Sequence, residues 1–388
     1  MKHDWNYNTI SEVCTKITDG SHNPPKGIPM SEYLMISSQN VFDDKLDFTD
    51  VRYLSKESFE LENKRTRVSA GDALLTIVGT IGRCCVVPEN VERITLQRSV
   101  AVISPKAIIK PRFLMYCLRG QRKSLLREGH GIAQKGLYLK QLQKIVVPVP
   151  PLPVQEQICS LLDKMNRVIE AKKEQLKELD NLAQAIFYDM FGDPITNTKG
   201  WVLSTIDNIS TDKLSYGSGA SAVEYDGLTR YVRITDINDL GDLNEDIKSP
   251  SEIDEKYLLR EGDILFARSG ATVGKTYCHR EKNGRCIYAG YLIKMRPDKS
   301  KVMPKYVFYY TKSEYYKAFI KNAQNAVAQP NINAKQYGGL VVPIPPLPLQ
   351  QAFAEKVEAI EQQKELINQS IKDVQTLFDA KMDYYFGD

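Results

Sequence analysis

Two stretches of this 388-residue chain place apolar side chains at alternating four- and three-residue steps, with no glycine or internal proline to interrupt them. In the first, Ile158, Leu162, Met165, Ile169, Leu176, Leu179, Ala183, Ile186 and Met190 share one seam, with Lys172 its only polar occupant. The second repeats it with Phe353, Val357, Ile360, Ile367, Ile371, Val374, Phe378 and Tyr385, broken by Lys364 and Lys381. A 4–3 alternation over roughly five heptads predicts a coiled-coil seam rather than the core stripe of a globular helix. Pro153 and Pro348 suit a first helical turn, and Gly192 and Gly387 suit C-terminal caps. Helices are therefore expected over 153–190 and 348–388, the first a rod of about 57 Å at 1.5 Å per residue. Seams of this length need partners, and two in one chain favour pairing with each other; docking of each on another protein, or self-association between chains, is the alternative. The pattern leaves the pairing direction open. Lys172 and Lys364 are expected to form a mid-rod polar layer, reaching toward Glu170, Glu174, Glu361 or Glu365.

The remaining sequence alternates strand-like runs (72–78, 94–103, 263–267, 288–295) with shorter helical stretches (111–126, 304–322) and turn clusters such as Asp19-Gly-Ser-His-Asn-Pro-Pro25 and Tyr216-Gly-Ser-Gly-Ala220. This predicts mixed α+β domains with a curved sheet.

These blocks occur twice. Trp5 is answered by Trp201, and Gly71-Asp-Ala-Leu-Leu-Thr-Ile-Val-Gly-Thr-Ile-Gly82 by Gly262-Asp-Ile-Leu-Phe-Ala-Arg-Ser-Gly-Ala-Thr-Val-Gly274. Pro148-Val-Pro-Pro-Leu-Pro-Val-Gln155 returns as Pro343-Ile-Pro-Pro-Leu-Pro-Leu-Gln350, and Phe191-Gly-Asp193 as Phe386-Gly-Asp388. The offset drifts from 196 to 191 to 195, which marks loops of different length on a shared frame. Two copies this long are a tandem of whole domains, not a solenoid. Such a tandem suits the reading of a divided target better than one catalytic pocket.

Charge sharpens that picture. The net charge is +4, but residues 153–190 carry −2 and residues 348–385 carry −3, leaving +9 on the rest. Basic globular parts between acidic rods suit a polyanionic partner. The densest basic run, 105–144, holds ten Lys/Arg against Glu128; its counterpart, 300–339, holds six against Glu314. Inside them lie the turn-rich, amide-bearing pieces Gly131-Ile-Ala-Gln-Lys-Gly136 and Ala326-Val-Ala-Gln-Pro-Asn331. Lysine and arginine supply phosphate contacts, and Gln, Asn and Arg reach base edges. The candidate DNA contacts are thus Arg83, Arg122, Lys123, Gln134, Lys135, Arg268, Lys275, Gln329 and Asn331. The aromatic run Tyr306, Phe308, Tyr309, Tyr310, Tyr315 and Tyr316 is expected in the core.

Other motifs are weaker. Ser269-Gly-Ala-Thr-Val-Gly-Lys-Thr276 resembles a phosphate loop, but serine replaces its first glycine and no amphipathic helix follows, so a strand–turn–strand hairpin is expected. Asn23-Pro-Pro-Lys26 lacks the aromatic residue of an adenine-methyltransferase element and reads as a turn. His3, His22, His130 and His279 are scattered, and Cys278-His279 with Cys286 lacks zinc-site spacing; no catalytic set emerges. Seven cysteines without a CxxC pair suit a reducing cytoplasm, and no window is apolar enough to span a membrane.

With the repeat, the Pro-Pro-Leu-Pro-x-Gln helix openings and the Phe-Gly-Asp closings, the chain resembles a DNA-specificity subunit of a type I restriction-modification system. Asp19-Gly-Ser-His22 and the Gly-Asp-x-Leu hairpins add to the likeness; the second half lacks a clear Asp-Gly-Ser-His element. The resemblance implies an α+β fold with two similar mixed α/β target-recognition domains, separated by two long antiparallel coiled-coil helices with an internal pseudo-two-fold repeat. Its expected layout is recognition domain 1 over 1–152, a spacer helix over 153–190, a linker over 191–200, recognition domain 2 over 201–347 and a second spacer helix over 348–388. It implies a non-catalytic subunit that recognises a bipartite asymmetric sequence in double-stranded DNA. Two methyltransferase subunits would hold it and bring S-adenosylmethionine. Restriction/translocase subunits using ATP and magnesium can join, and none of these cofactors is expected on this chain. A rod of about 57 Å spans at most about 17 base pairs, and with domains folded over its ends the half-site centres are expected nearer one helical turn apart. The alternatives are a nucleotide- or S-adenosylmethionine-dependent DNA-modifying enzyme and a coiled-coil protein adaptor.

Overall fold

The computed structural model describes residues 4–128, 136–325 and 331–387. Its two long helices are Leu152–Phe191 and Leu347–Phe386, 40 residues each. Each begins one residue before its proline, which the first turn tolerates because no intrahelical partner is lost there. At the far end of the first helix, Gly192 takes φ +78° and donates its N–H to the Tyr188 carbonyl at 2.8 Å, a left-handed cap that a side chain would strain.

The chain forms two compact units: Met1–Lys173 with Gln369–Asp388, and Glu174–Asn368. Both long helices therefore contribute one stretch to each unit.

In the first unit, Cys14–Asp19, Val100–Pro105, Ala73–Thr76 and Cys84–Val86 make a four-stranded antiparallel sheet in that spatial order. Beside it, Arg52–Leu54, Tyr33–Ile36 and Ile94–Leu96 form a second sheet whose last two strands run parallel. The expected single run over 94–103 is therefore two strands. Ile94–Leu96 pairs with one sheet, the chain turns at residues 97–99, and Val100–Pro105 enters the other. The expected curved sheet is in fact two sheets joined at that corner.

The second unit repeats the plan. Ser215–Tyr216, Leu292–Met295, Ile264–Ala267 and Thr276–Cys278 form its four-stranded antiparallel sheet, and Thr229–Val232 pairs in parallel with Arg285–Tyr288. Here the corner lies at residues 289–291, dividing the expected run over 288–295. An additional ribbon, Ala222–Glu224 with Lys248–Pro250, belongs to this unit.

Alternation along the central strands explains why both faces are apolar. In the first unit Leu75, Ala101 and Ile103 face the helix Pro111–Gly120 and the long helices, while Leu74, Val100 and Val102 face the second sheet. Ile264, Phe266, Ile293 and Met295 do the first job in the other unit, and Leu265, Ala267 and Leu292 the second.

The long helices enter these cores. In the first unit, Ile158 and Leu162 near the start of one helix share a core with Phe378, Met382 and Phe386 near the end of the other. In the second, Phe187 and Phe191 near the end of the first helix pack on Phe353 and Val357 near the start of the second. Start meets end in both units, so the helices pair antiparallel. Within the seam Ile158, Leu162, Ile169, Val357, Ile360 and Ile367 are buried, and Met165, Leu176, Leu179, Ile371 and Val374 are half-buried. Lys364 does not reach Glu361 or Glu365; its Nζ meets Asp180 of the facing helix at 2.5 Å, because a carboxylate across the seam offers a partner that requires no bend back along the helix.

The repeated motifs are structural brackets. Gln155 is fully buried: its Oε1 accepts the Lys110 N–H at 2.8 Å, and its Nε2 donates to the carbonyls of Ile108 at 3.0 Å and Pro150 at 2.8 Å. Gln350 accepts the Met303 N–H at 2.8 Å and donates to the Pro345 carbonyl at 2.7 Å. Each glutamine thus ties the start of a long helix to the segment leading into a domain helix. The closing phenylalanines seal the other ends, Phe386 against Phe113 at 5.3 Å and Phe191 against Tyr306 at 4.8 Å.

Candidate nucleic-acid interface

The sheet corners carry the best-defined repeated geometry. Gly20 donates its N–H to the Val100 carbonyl and Ser21 to the Leu96 carbonyl; Gly217 donates to Leu292 and Ser218 to Tyr288. A Cβ on Gly20 would lie 2.0 Å from the Leu96 oxygen, and one on Gly217 would lie 2.3 Å from the Ala289 oxygen, so only glycine lets the two backbones approach. Tyr216-Gly217-Ser218 is therefore the counterpart of Asp19-Gly20-Ser21. The second half has the Gly-Ser core of the element; only the flanking Asp and His differ. In the first unit Asp19 holds both Arg65 and His22, the latter at 2.9 Å.

The expected contacts fall into local groups. Arg83 ends the hairpin turn after Ala73–Thr76, and its guanidinium lies 4.8 Å over the Phe42 ring. Arg122 opens the helix Arg122–Glu128 and donates to Asp43 at 3.0 Å. Both arginines thus converge on the small ribbon of Val41–Phe42 and Lys45–Leu46, while Lys123 is exposed. In the second unit Arg268 stacks on Tyr216 at 4.6 Å and donates to the Asn331 side chain at 3.2 Å, and Asn331 is itself exposed. Lys275 turns elsewhere, to Asp239 at 3.1 Å. Gln134, Lys135 and Gln329 lie outside the described residues. The segments adjoining them attach alike: Gly136 bridges Val78, and Asn331 bridges Ser269.

Tyr216 is the residue that sequence reasoning missed here. It stands beside Gly217 in the turn cluster, and its pairing with Arg268 required the fold to bring together positions 52 residues apart. A half-exposed tyrosine under an arginine, next to the exposed Asn331 side chain, is a set of groups that can stack on and hydrogen-bond a base.

A second set of charges fastens each domain to its helix stretch. Arg112 donates to Asp44 at 3.0 and 2.8 Å and to Asp163 of the first long helix at 2.5 Å, and the Tyr116 hydroxyl adds 2.6 Å to Asp163. Burial opposes the Arg112 charge, but the hydrogen bonds to Asp163 and Asp44 outweigh it and hold the guanidinium protonated. In the second unit Glu361, nearly buried, receives Arg280 at 2.5 Å and Lys305 at 2.7 Å, and Lys305 also holds Glu358. The acidic excess of the long helices is thus partly answered inside the fold by domain cations.

The phosphate-loop look-alike is the expected hairpin, Ile264–Ala267 pairing with Thr276–Cys278 around a short 3₁₀ turn, Gly270–Thr272. Its Val273, Gly274 and Lys275 N–H groups donate to Gly270, Ala267 and Thr272 carbonyls of the same hairpin. Those donors are turned inward and cannot cradle a phosphate. The aromatic run is core: Tyr306, Tyr310 and Tyr316 are at most 2 % exposed. The cysteines are free thiols, and burial pushes Cys14, Cys85 and Cys159 up to about 12, which leaves them unreactive as thiolates. Among the described residues no helix is long and apolar enough to cross a membrane.

The duplicated Gly-Ser corners, the Pro-Pro-Leu-Pro-x-Gln brackets and the shared helices find their match in one family model, the type I restriction modification DNA specificity domain, which fits twice, over residues 2–181 and 193–376. The chain belongs to this family. Its relatives include the EcoBI specificity subunit of Escherichia coli, 30% identical over 196 residues, which spans 49% of this chain and 40% of that subunit. The putative MjaX specificity subunit of Methanocaldococcus jannaschii is 24% identical over 97% of this chain and 93% of its own length. Among solved structures, the specificity subunit from M. genitalium shares the fold at TM-score 0.59 and 13% identity, with 99% of this chain and 96% of that one covered. A chain from a study of type I complex assembly and conformational transition gives TM-score 0.58 at 17% identity, covering 98% and 97%. The family assigns DNA target recognition to this specificity subunit, a non-catalytic component of a restriction-modification complex. The α+β fold of two similar mixed domains with long paired helices is that of the family.

Proposed function

We propose that this specificity subunit reads a split, asymmetric double-stranded DNA target, one part by a recognition domain over 1–152 and the other by one over 201–347. The antiparallel long helices set the unread gap, and residues 191–200 link the two halves. The observation carrying this reading is the double match of the specificity domain, each copy bearing its own Gly-Ser corner and basic hairpin. Different loops around a common corner are what two readers of different base sequences need. In the second domain Arg268, Tyr216 and Asn331 would meet base edges, with Lys275 near the backbone; in the first, Arg83, Arg122 and Lys123 would serve. Gln134, Lys135 and Gln329 extend the proposal on sequence grounds alone.

The same reading makes the subunit a platform on which two methyltransferase subunits, and restriction subunits where present, are positioned on DNA. Support comes from the long helices, 40 residues each, which expose Val168, Leu182, Leu366 and Leu377 among their polar side chains, and from the solved relative whose study concerns complex assembly. A cytoplasmic location follows from that work. The inward-turned hairpin donors speak against a nucleotide-dependent enzyme.

Nuclease footprinting of the chain with its methyltransferase partner tests the proposal. Two protected blocks flanking an accessible gap are expected; one uninterrupted block would refute it.

A further inference from the structure

The second unit contains a cavity of about 1060 Å³ between the loop at 239–243, the hairpin turn, the helix Glu314–Asn325 and its stretches of the two long helices. Its walls carry eight Lys/Arg against five Asp/Glu. Most of these cations are answered: Lys275, Arg280, Lys282 and Lys364 each have a carboxylate, and Lys317 has Glu314 at 2.7 Å. Among the described residues Lys312, Lys321 and Arg230 have none: Lys321 is exposed, Lys312 is half-buried, and Arg230 donates to the Asn244 carbonyl at 2.6 Å. The Lys312 ammonium donates to a backbone carbonyl, that of Asp239, at 3.1 Å and lies 4.7 Å over the Phe308 ring. Two further donors on the walls, Gln184 Nε2 and Arg230 Nε, are buried without a hydrogen-bond partner among the described residues.

A buried donor without an acceptor, and a cation drawn out of water without an anion, each cost free energy that a bound anion would recover. Burial pushes the Lys312 amine down to about 8, against the pull of Asp242, Asp239 and Asp180 and with the push of Lys275. The cavity is open and large enough for a phosphorylated group of nucleotide size. Lys275, a candidate backbone contact, lies on its wall, so the cavity adjoins the hairpin already assigned to DNA.

We propose that this cavity is a phosphate-binding site in which Lys312 and Lys321, with Gln184 as a neutral donor, hold a phosphate-class anion. Two sources share that chemistry: a phosphodiester of the target strand, which rests on the function proposed above, and a free polyphosphate, which does not.

The test uses the full chain with its methyltransferase partner, as wild type, Lys312→Gln/Lys321→Gln and Lys312→Arg. Duplex affinity is measured against salt, and inorganic pyrophosphate is titrated into the DNA-free complex. If the source is DNA, the double variant loses about 1.8 from the slope of log affinity on log salt, at 0.9 per phosphate contact, while Lys312→Arg keeps the slope and reports correct folding. If the source is a free polyphosphate, the slope is unchanged but pyrophosphate binds wild type and not the double variant. Anion binding raises the Lys312 pKa, so wild-type affinity should fall as pH rises through about 8, and Lys312→Arg should remove that fall. An unchanged slope, together with pyrophosphate that binds neither form or both equally, overturns the site. A wild type that binds no duplex at all sinks the DNA reading instead and leaves the pyrophosphate titration to decide.

Discussion

At the scale of single residues, the most informative positions are buried polar ones. Gln155 and Gln350 look in sequence like the ends of a proline motif. In the fold each is a fully buried amide satisfied by backbone groups on both sides. Replacing Gln155 by Ala would orphan the Lys110 N–H and two carbonyls, at about 1–3 kcal/mol for each group that water cannot reach. Urea unfolding of Gln155→Ala should show a loss of several kcal/mol; a loss below about 1 kcal/mol would mean that solvent reaches these groups. Tyr216 makes a contrasting case. Its ring is a platform for Arg268 and contributes little to the core, so Tyr216→Ala should leave the melting temperature nearly unchanged. The same substitution should weaken binding to the cognate half-site by roughly 1–3 kcal/mol, the worth of one stacked base. Competition against a duplex scrambled in that half-site is the measurement, and equal losses on both duplexes would assign Tyr216 to backbone contact.

At the scale of elements, the long helices were the most legible feature, because their 4–3 spacing is a local pattern carried by the side chains of one uninterrupted segment. Caps at Pro153 and Gly192 were legible for the same local reason. The strand corners were not. A continuous apolar run such as 94–103 carries no mark of the point where it leaves one sheet for another; that point is fixed by Gly20 and Ser21, some eighty residues earlier. The partner of Lys364 was equally hidden, since Asp180 faces it only after the helices have paired. The candidate site shows the same divide: basic runs were visible, but Tyr216 beneath Arg268, and the engagement of Arg122 and Lys275 by acidic neighbours, are products of the fold. Ion pairs between domain and helix also carry a pH signature. The hydrogen bond from Lys305 holds the Glu358 carboxyl below the usual carboxylate range. A depressed acid adds stability that is complete above its unfolded pKa and disappears as pH falls through the folded value. The carboxylate is half-exposed, so the effect should stay under about 1 kcal/mol. Thermal melts of Glu358→Gln against wild type should differ near neutrality and converge below the ordinary carboxylate range; a difference persisting in acid would assign the effect to packing.

At the scale of the whole molecule, duplication is the organising fact. One ancestral plan of sheet corner, basic hairpin, glutamine bracket and long helix occurs twice, and each long helix serves both units. A chain built that way can change what each half reads by changing loops, while the brackets and seams stay fixed. If the helices set the gap, their length should be readable in the DNA. Adding three heptads to each helix at matched positions lengthens the pair by about 31 Å, close to nine base pairs and so nearly one turn of the duplex, which keeps both readers on one side. The decisive experiment selects bound duplexes from a library in which the distance between the half-sites varies, comparing wild type with the lengthened chain. Half-sites should stay unchanged, and the preferred gap should grow by about nine base pairs. An unchanged gap, or a target that proves to be one continuous sequence, would contradict the spacer role of the helices.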